Sequence, residues 1–307
     1  MKIIFQINGG IGKCVAATAV CKAIKTQHPQ AELIVISGYP DVFERNPNVS
    51  MALHGGNLNY FFPQHIEGKD AALFLHDPYH ETDFIYQRGH LIEVWCRMFD
   101  IKYNGELPEV FLTGKEKTTA NTFLNTPKPI LLIQTSGGLT DQADKYSWPR
   151  DLPNATAQKV VNAFAQEYTV IHIRRQDQLA LQNTFTATAN FRVIAALILR
   201  SEKRLFIDSF AQHTAAALGK PSVVCWVANL PSQFGYDMHT NLIANPPALP
   251  PEFRHSVFSK YNISDKVTEF PYNSEDEIFD ADRIIEALRG NTTQPKEENK
   301  KKVKELV

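Results

Sequence analysis

Short apolar runs alternate with stretches of helical periodicity twice along the chain, an order that a parallel α/β sheet satisfies and few other folds do. The first series opens on Lys2-Ile3-Ile4-Phe5-Gln6, a buried strand, and passes through the glycines of "INGGIGK" into "KCVAATAVCKAIKTQHP". There Val15, Ala19, Ala23 and Ile24 recur near helical spacing. "AELIVISG" is the next strand, and "GKDAALFLHD" and "HLIEVWCRMFD" continue the alternation, the latter as a helix burying Leu91, Val94, Trp95 and Met98. After "LNTPKP" a second series starts with "ILLIQTSGG", a strand running into a glycine turn. It continues with helix "NATAQKVVNAFAQE", strand "YTVIHIRR", helix "FRVIAALILRSE", strand "RLFIDS", helix "AQHTAAALG" and strand "PSVVCWV". Both halves repeat one plan, so the chain reads as two Rossmann-like units, residues 1–126 and 127–272, facing a cleft at the carboxyl ends of their strands.

The serine, acidic first turn, apolar face (Ile278, Ile284, Ile285, Leu288) and terminal glycine of "SEDEIFDADRIIEALRG" predict a helix within 273–290. The polar, lysine-rich residues 291–307 have little to bury and read as a disordered tail. With 307 residues, 43% of them hydrophobic, the chain can bury the cores of two ordinary domains. Its 32 basic and 33 acidic residues nearly cancel, which argues against a global nucleic-acid footprint while leaving a local basic groove open. Four cysteines without a Cys-x-x-Cys pair point to a reducing, cytoplasmic setting. Asn8-Gly9-Gly10 interrupts the opening apolar run too early for a secretory leader, and no stretch approaches the roughly 20 apolar residues that span a bilayer.

The glycine turn admits two readings. Gly9, Gly10, Gly12 and Lys13 look like the phosphate loop of an ATPase, but such a loop needs a Ser or Thr hydroxyl for magnesium where this chain has Cys14, a poor magnesium ligand. Residues 204–227 carry a second concentration of chemistry. A buried strand delivers Asp208 and Ser209 to its carboxyl end, the turn presents Gln212 and His213, and Ala215, Ala216 and Ala217 let a helix start close to the sheet. A carboxylate, a hydroxyl, an imidazole and helix-end N–H groups then surround one spot suited to a sugar diphosphate. The plainer alternative is a capped helix with a buried histidine.

That stretch resembles the Asp-Ser-Gly-x-x-His-x-Ala-x-Ala-x-Gly-x-Pro segment of the heptosyltransferase-like glycosyltransferases, glycosyltransferase family 9, with Phe210 in place of the family's glycine. The resemblance implies a GT-B fold, with two facing Rossmann-like domains and the C-terminal helix packing back on the N-terminal acceptor domain. It implies transfer of a sugar from a nucleotide-diphosphate-sugar co-substrate to an acceptor hydroxyl, inverting and with neither cofactor nor metal. Asp208, Ser209, Gln212, His213 and Thr214 then face the donor diphosphate. Lys145 is similar to the lysine of the family's Lys-x-Trp-Pro, with one extra residue before Trp148, and Arg150 rivals it for the donor phosphate. Arg174 and Arg175 end the strand "YTVIHIRR" and place at least one guanidinium at the cleft rim, as a phosphate ligand or as part of a surface charge pair. Asn229, Gln233, Tyr236 and His239 are candidates for lining the pocket.

Where the family has a general-base aspartate after the glycine, this chain has Lys13, and a protonated lysine takes no proton from a hydroxyl unless burial lowers its pKa. "LFLHDPYHETDF" supplies the replacements, Asp77 first and His80 second, while Gly9, Gly10 and Gly12 let the backbone approach acceptor or phosphate. The acceptor is then a saccharide or another hydroxyl-bearing polymer, a protein or a hydroxylated nucleobase included. A catalytically silent nucleotide-sugar-binding protein and the phosphate-loop ATPase are the alternatives.

Overall fold

The computed structural model of the chain describes residues 1–123, 126–137, 148–246, 270 and 272–290. The first half builds β1 (Lys2–Ile7), α1 (Ile11–Gln27), β2 (Glu32–Ser37), β3 (Met51–His54), α2 (Phe61–His65), β4 (Ala71–Phe74), α3 (Thr82–Ile85) and α4 (Leu91–Met98). Its four strands are all parallel, in the order β3-β2-β1-β4, with Ile4 between Ile34 and Leu73. After the connecting α5 (Gly114–Phe123) come β5 (Ile130–Ile133), α6 (Asn154–Phe164), β6 (Thr169–Ile173), β7 (Phe185–Ala187), α7 (Phe191–Arg200) and β8 (Lys203–Ile207). Then follow α8 (Phe210–Ala217), β9 (Val223–Trp226), α9 (Pro231–Phe234), β10 (Thr240–Ile243) and α10 (Ala281–Arg289). Six parallel strands result, ordered β10-β9-β8-β5-β6-β7.

The continuous apolar runs became the central strands: β5, β6 and β9 are buried at every residue. The strands that sequence patterning did not mark, β3, β7 and β10, lie at sheet edges. They are three or four residues long and partly exposed, so no unbroken apolar run announces them.

Helix α1 is buried from Lys13 to Cys21 because it is covered on several sides, by its own sheet, by α4 and by α8 of the second domain. One apolar cluster therefore runs from Phe5, Val15 and Trp95 to Ala216, Trp226 and Phe234, joining the two halves. Arg192 of α7 adds a polar clasp. It pairs with both oxygens of Glu116 at 2.7 and 3.0 Å and donates to the backbone carbonyls of Phe111 and Asp41.

The C-terminal helix departs from expectation twice. It begins at Ala281, with the Asp280 side chain accepting the Asp282 N–H, and not at Ser274, whose side chain caps nothing. Ile278 and Phe279 are drawn into the second core before it starts, which interrupts the helical run. It also does not return to the first domain. Its apolar face, Ile284, Ala287 and Leu288, packs on α6, β8 and β9, where Val160, Val161 and Leu205 offer an apolar surface. The tail at 291–307 and residues 124–125 of the expected domain boundary lie outside the described residues.

Candidate active site

Both sheets end their central strands at one cleft of about 690 Å³. From the first domain, β1 runs into Gly9, whose φ of +112° is a conformation that favours glycine, and α1 starts one residue after Gly10. From the second, β8 delivers Asp208 and Ser209, and α8 starts at Phe210. Neither helix has a side-chain cap hydrogen bond or an acidic residue in its first turn. Two positive helix ends are thus left open to one space.

Gly12 allows them to meet. A Cβ there would lie 3.2 Å from the Phe210 Cα and 3.1 Å from the His213 Cδ2, so the second domain occupies the room its missing side chain leaves. Gly137 does the same at the β5 turn, where a Cβ would come 3.0 Å from Ser209 Oγ, and its N–H donates to buried Asp151. Around Gly10 the space is open.

On the second-domain wall, Arg150 lines the cleft with no hydrogen-bond or ion-pair partner among the described residues. Asp208 accepts a hydrogen bond from Asn229 Nδ2 at 2.5 Å. Burial pushes its carboxyl above the usual carboxylate range, with Arg150 and Asn229 opposing. Arg174 also lines the cleft, but its guanidinium is largely spent on its own turn. Nη1 donates to the carbonyls of Arg175, Gln176 and Gln178, and Nε donates to Thr186.

Of the five residues expected to face a donor, the structure brings Asp208, Ser209 and His213 to the cleft. Gln212 and Thr214 are not there. Both are fully buried, Gln212 donating to the Phe234 carbonyl at 3.0 Å and Thr214 to the Phe210 carbonyl at 2.8 Å, so they hold α8 and its neighbouring turn in place. His213 shares a 2.8 Å hydrogen bond between Nδ1 and the Tyr236 hydroxyl. Burial, then His90 and His239, hold its pKa down to about 3, so the ring is neutral. Lys145 lies outside the described residues.

On the first-domain wall, two candidates that the sequence offered as rivals are one unit. Lys13 Nζ lies 2.5 Å from Asp77 Oδ2, 4.0 Å from the centre of the Tyr79 ring and 5.5 Å from that of Trp95. Asp77 Oδ1 accepts the Tyr79 N–H. Burial lowers the Lys13 pKa while Asp77 pushes it back up. A phosphate-loop lysine must extend to its ligand, whereas this one is committed to a carboxylate. His80 is exposed and does not line the cleft.

Asn229 lines the cleft as expected; Gln233, Tyr236 and His239 are spent on the domain contact and on α8 instead. Sequence reasoning missed Tyr39, Tyr79, Gln134 and Ser136 on the cleft wall. The "QTSGG" turn was a visible signal for the last two. Among the described residues no three His, Cys, Asp or Glu side chains converge to hold a metal, and no helix is long and apolar enough to cross a membrane.

Two parallel Rossmann-like sheets opposed across such a cleft define the GT-B fold. Solved structures agree with that class. The E. coli ADP-heptose LPS heptosyltransferase II superposes with a TM-score of 0.68 at 13% identity, covering 95% of this chain and 98% of that one. A glycosyl transferase family 9 protein from Veillonella parvula superposes at 0.66 and 12%, covering 94% and 96%. TibC of enterotoxigenic E. coli, an iron-containing dodecameric glycosyltransferase, superposes at 0.61 and 12%, covering 90% and 73%. At these identities the likeness is one of fold. The described residues of this chain supply no donor set for an iron ion of their own. No protein-family model matches the sequence, and no curated protein matches it.

Proposed function

We propose that this chain is a glycosyltransferase that moves a sugar from a nucleotide-diphosphate-sugar to an acceptor hydroxyl, with inversion and without a metal. The observation that carries the reading is Arg150, a guanidinium with no hydrogen bond or ion pair among the described residues, in a cleft where two uncapped helix N-termini end. Such a place favours a diphosphate, and most of all a diphosphate gaining charge as it leaves. The solved neighbours suggest the donor class, the E. coli enzyme being an ADP-heptose LPS heptosyltransferase.

In this reading the diphosphate lies against Arg150, Ser209 and the start of α8, with Arg174 at its margin, and Lys145 is a further phosphate ligand by its resemblance alone. Asp208 accepts from sugar hydroxyls, and neutral His213 bonds to them through Nε2, its Nδ1 being taken by Tyr236. The acceptor enters over Gly9 and Gly10, and Asp77, held by Lys13, takes the proton as the acceptor oxygen attacks the anomeric carbon. His80 is the second choice for that proton. The protein works in the cytoplasm.

One observation favours a second reading. Both Asp77 oxygens already accept hydrogen bonds, which fits a silent nucleotide-sugar-binding protein. A panel of ADP-, UDP-, GDP- and CDP-sugars tests both. Saturating donor at about 100 times Kd adds about 2.7 kcal/mol, several degrees in Tm. One donor should produce that shift, Arg150→Ala should abolish it, and released nucleoside diphosphate separates enzyme from silent binder. A shift with magnesium-ATP alone, lost in Lys13→Ala and kept in Arg150→Ala, would overturn the proposal.

A further inference from the structure

The cleft floor holds a polar group that binds nothing among the described residues. Gln134 closes β5, its backbone N–H donating to the Leu205 carbonyl at 2.9 Å, and its side chain lines the cleft at 4% exposure. Its Oε1 is buried without a hydrogen-bond partner, and neither end of the carboxamide is bonded to another described residue. Leaving an amide oxygen buried and unmet opposes folding. A group kept at that cost in the free protein is matched to something that arrives later.

Its place in the sheet narrows what arrives. β5 lies between β8 and β6. On the β8 side are Asp208, Ser209 and Arg150, the anion end; on the β6 and β7 side Ile173, Ala187, Ala189 and Ile194 give the cleft an apolar wall, next to Arg174, Arg175, Gln178 and Thr188. Gln134 sits at the junction. A nucleoside diphosphate whose phosphates meet Arg150 and whose base lies against the apolar wall places its ribose there.

We infer that Gln134 is a specificity-determining residue, accepting a hydrogen bond from a ribose hydroxyl of the donor nucleotide. This rests on the donor class proposed above. A site with a buried polar group waiting for a hydroxyl rejects the analogue that lacks it, because the group is then left unmet in the complex as well.

The test needs no variant in its first arm. ADP, UDP, GDP and CDP are titrated calorimetrically into the full chain, and the one that binds is compared with its 2′-deoxy and 3′-deoxy forms. Wild type should lose about 10-fold or more in affinity for one deoxy form. In the second arm, Gln134→Met and Gln134→Leu should weaken the ribonucleotide by a similar factor and no longer distinguish the forms. Their free-protein Tm should be unchanged or raised, since the unmet oxygen is gone. Equal wild-type affinity for all three forms overturns the inference, as does a Gln134→Met protein that binds the ribonucleotide like wild type. Binding by none of the four diphosphates would instead remove the donor reading itself.

Discussion

Lys13 and Asp77 show how much a single contact changes the meaning of a residue. Along the chain they are 64 positions apart, and nothing in either local pattern says that they touch. Residue chemistry could therefore name both as acceptor-side groups but only as competitors. The structure makes them donor and acceptor of one hydrogen bond, with unequal access to water: the side chains are 4% and 21% exposed. Removing the partner of the more buried charge is the costlier change. Asp77→Asn should destabilise by about 1–3 kcal/mol and Lys13→Met by less, because the carboxylate it frees reaches solvent and the ammonium does not. Urea unfolding of the two variants measures this, and the reverse order would show that Asp77 is the buried member. Gln134 was invisible for a similar reason. Its strand was plain in "ILLIQTSGG", but an unmet amide oxygen exists only in three dimensions.

Elements were legible where one apolar face decides them. The strand-turn-helix at 204–217 could be read with its active-site role because Asp208 and Ser209 sit where a buried strand must end, and the alanines that follow can only suit a close contact. What those alanines contact was not legible: α8 packs on α1, an element of the other domain. At Gly12 a Cβ would meet the His213 ring at 3.1 Å and the Phe210 backbone at 3.2 Å, and the backbone cannot swing away. Gly12→Ala should therefore push the two helix starts apart. It should cost about 1–3 kcal/mol by overpacking and also weaken nucleotide binding, since both uncapped N-termini move. Thermal unfolding and the donor titration together check it; a variant that keeps stability and loses binding would place Gly12 against ligand and not against α8. The short edge strands and the late start of α10 were missed because tertiary burial of Ile278 and Phe279, not local pattern, sets that boundary.

At the scale of the whole molecule, one neutral histidine bonds across the domain contact and two more lie behind it in the second domain. His90 accepts the Ile92 N–H at Nδ1, so its Nε2 must carry the proton it donates across to the Gly235 carbonyl. His213 bonds Tyr236, and His239 donates to the Gln212 carbonyl beneath α8. Both of these rings are 4% exposed. Burial lowers all three pKa values, to about 3 for His213 and about 4 for His239. In the unfolded chain each titrates near 6.5, so as the pH falls below that value the unfolded state binds protons that the folded state refuses. Stability present above about pH 6.5 is then lost on acidification, by up to about 1.4 kcal/mol per pH unit for each such ring. Carboxylates do not produce this loss. Glu116, held down to about 2 by Arg192, gives up its contribution only as the pH drops below its ordinary value of 4.5. Between pH 6.5 and 5 the fall in Tm should therefore belong to histidines, buried His172 of β6 included, and His213→Asn should make it shallower by one ring's share while lowering stability at pH 7.5 through the lost bond to Tyr236. Because His213 lies at the contact of α1 with α8 and His90 bonds from the start of α4 to Gly235, the same acidification should loosen the cleft and weaken donor binding in parallel. A Tm that stays level from pH 7.5 to 5 would mean that the histidines take protons without cost, and that the domain contact is not what keeps them neutral.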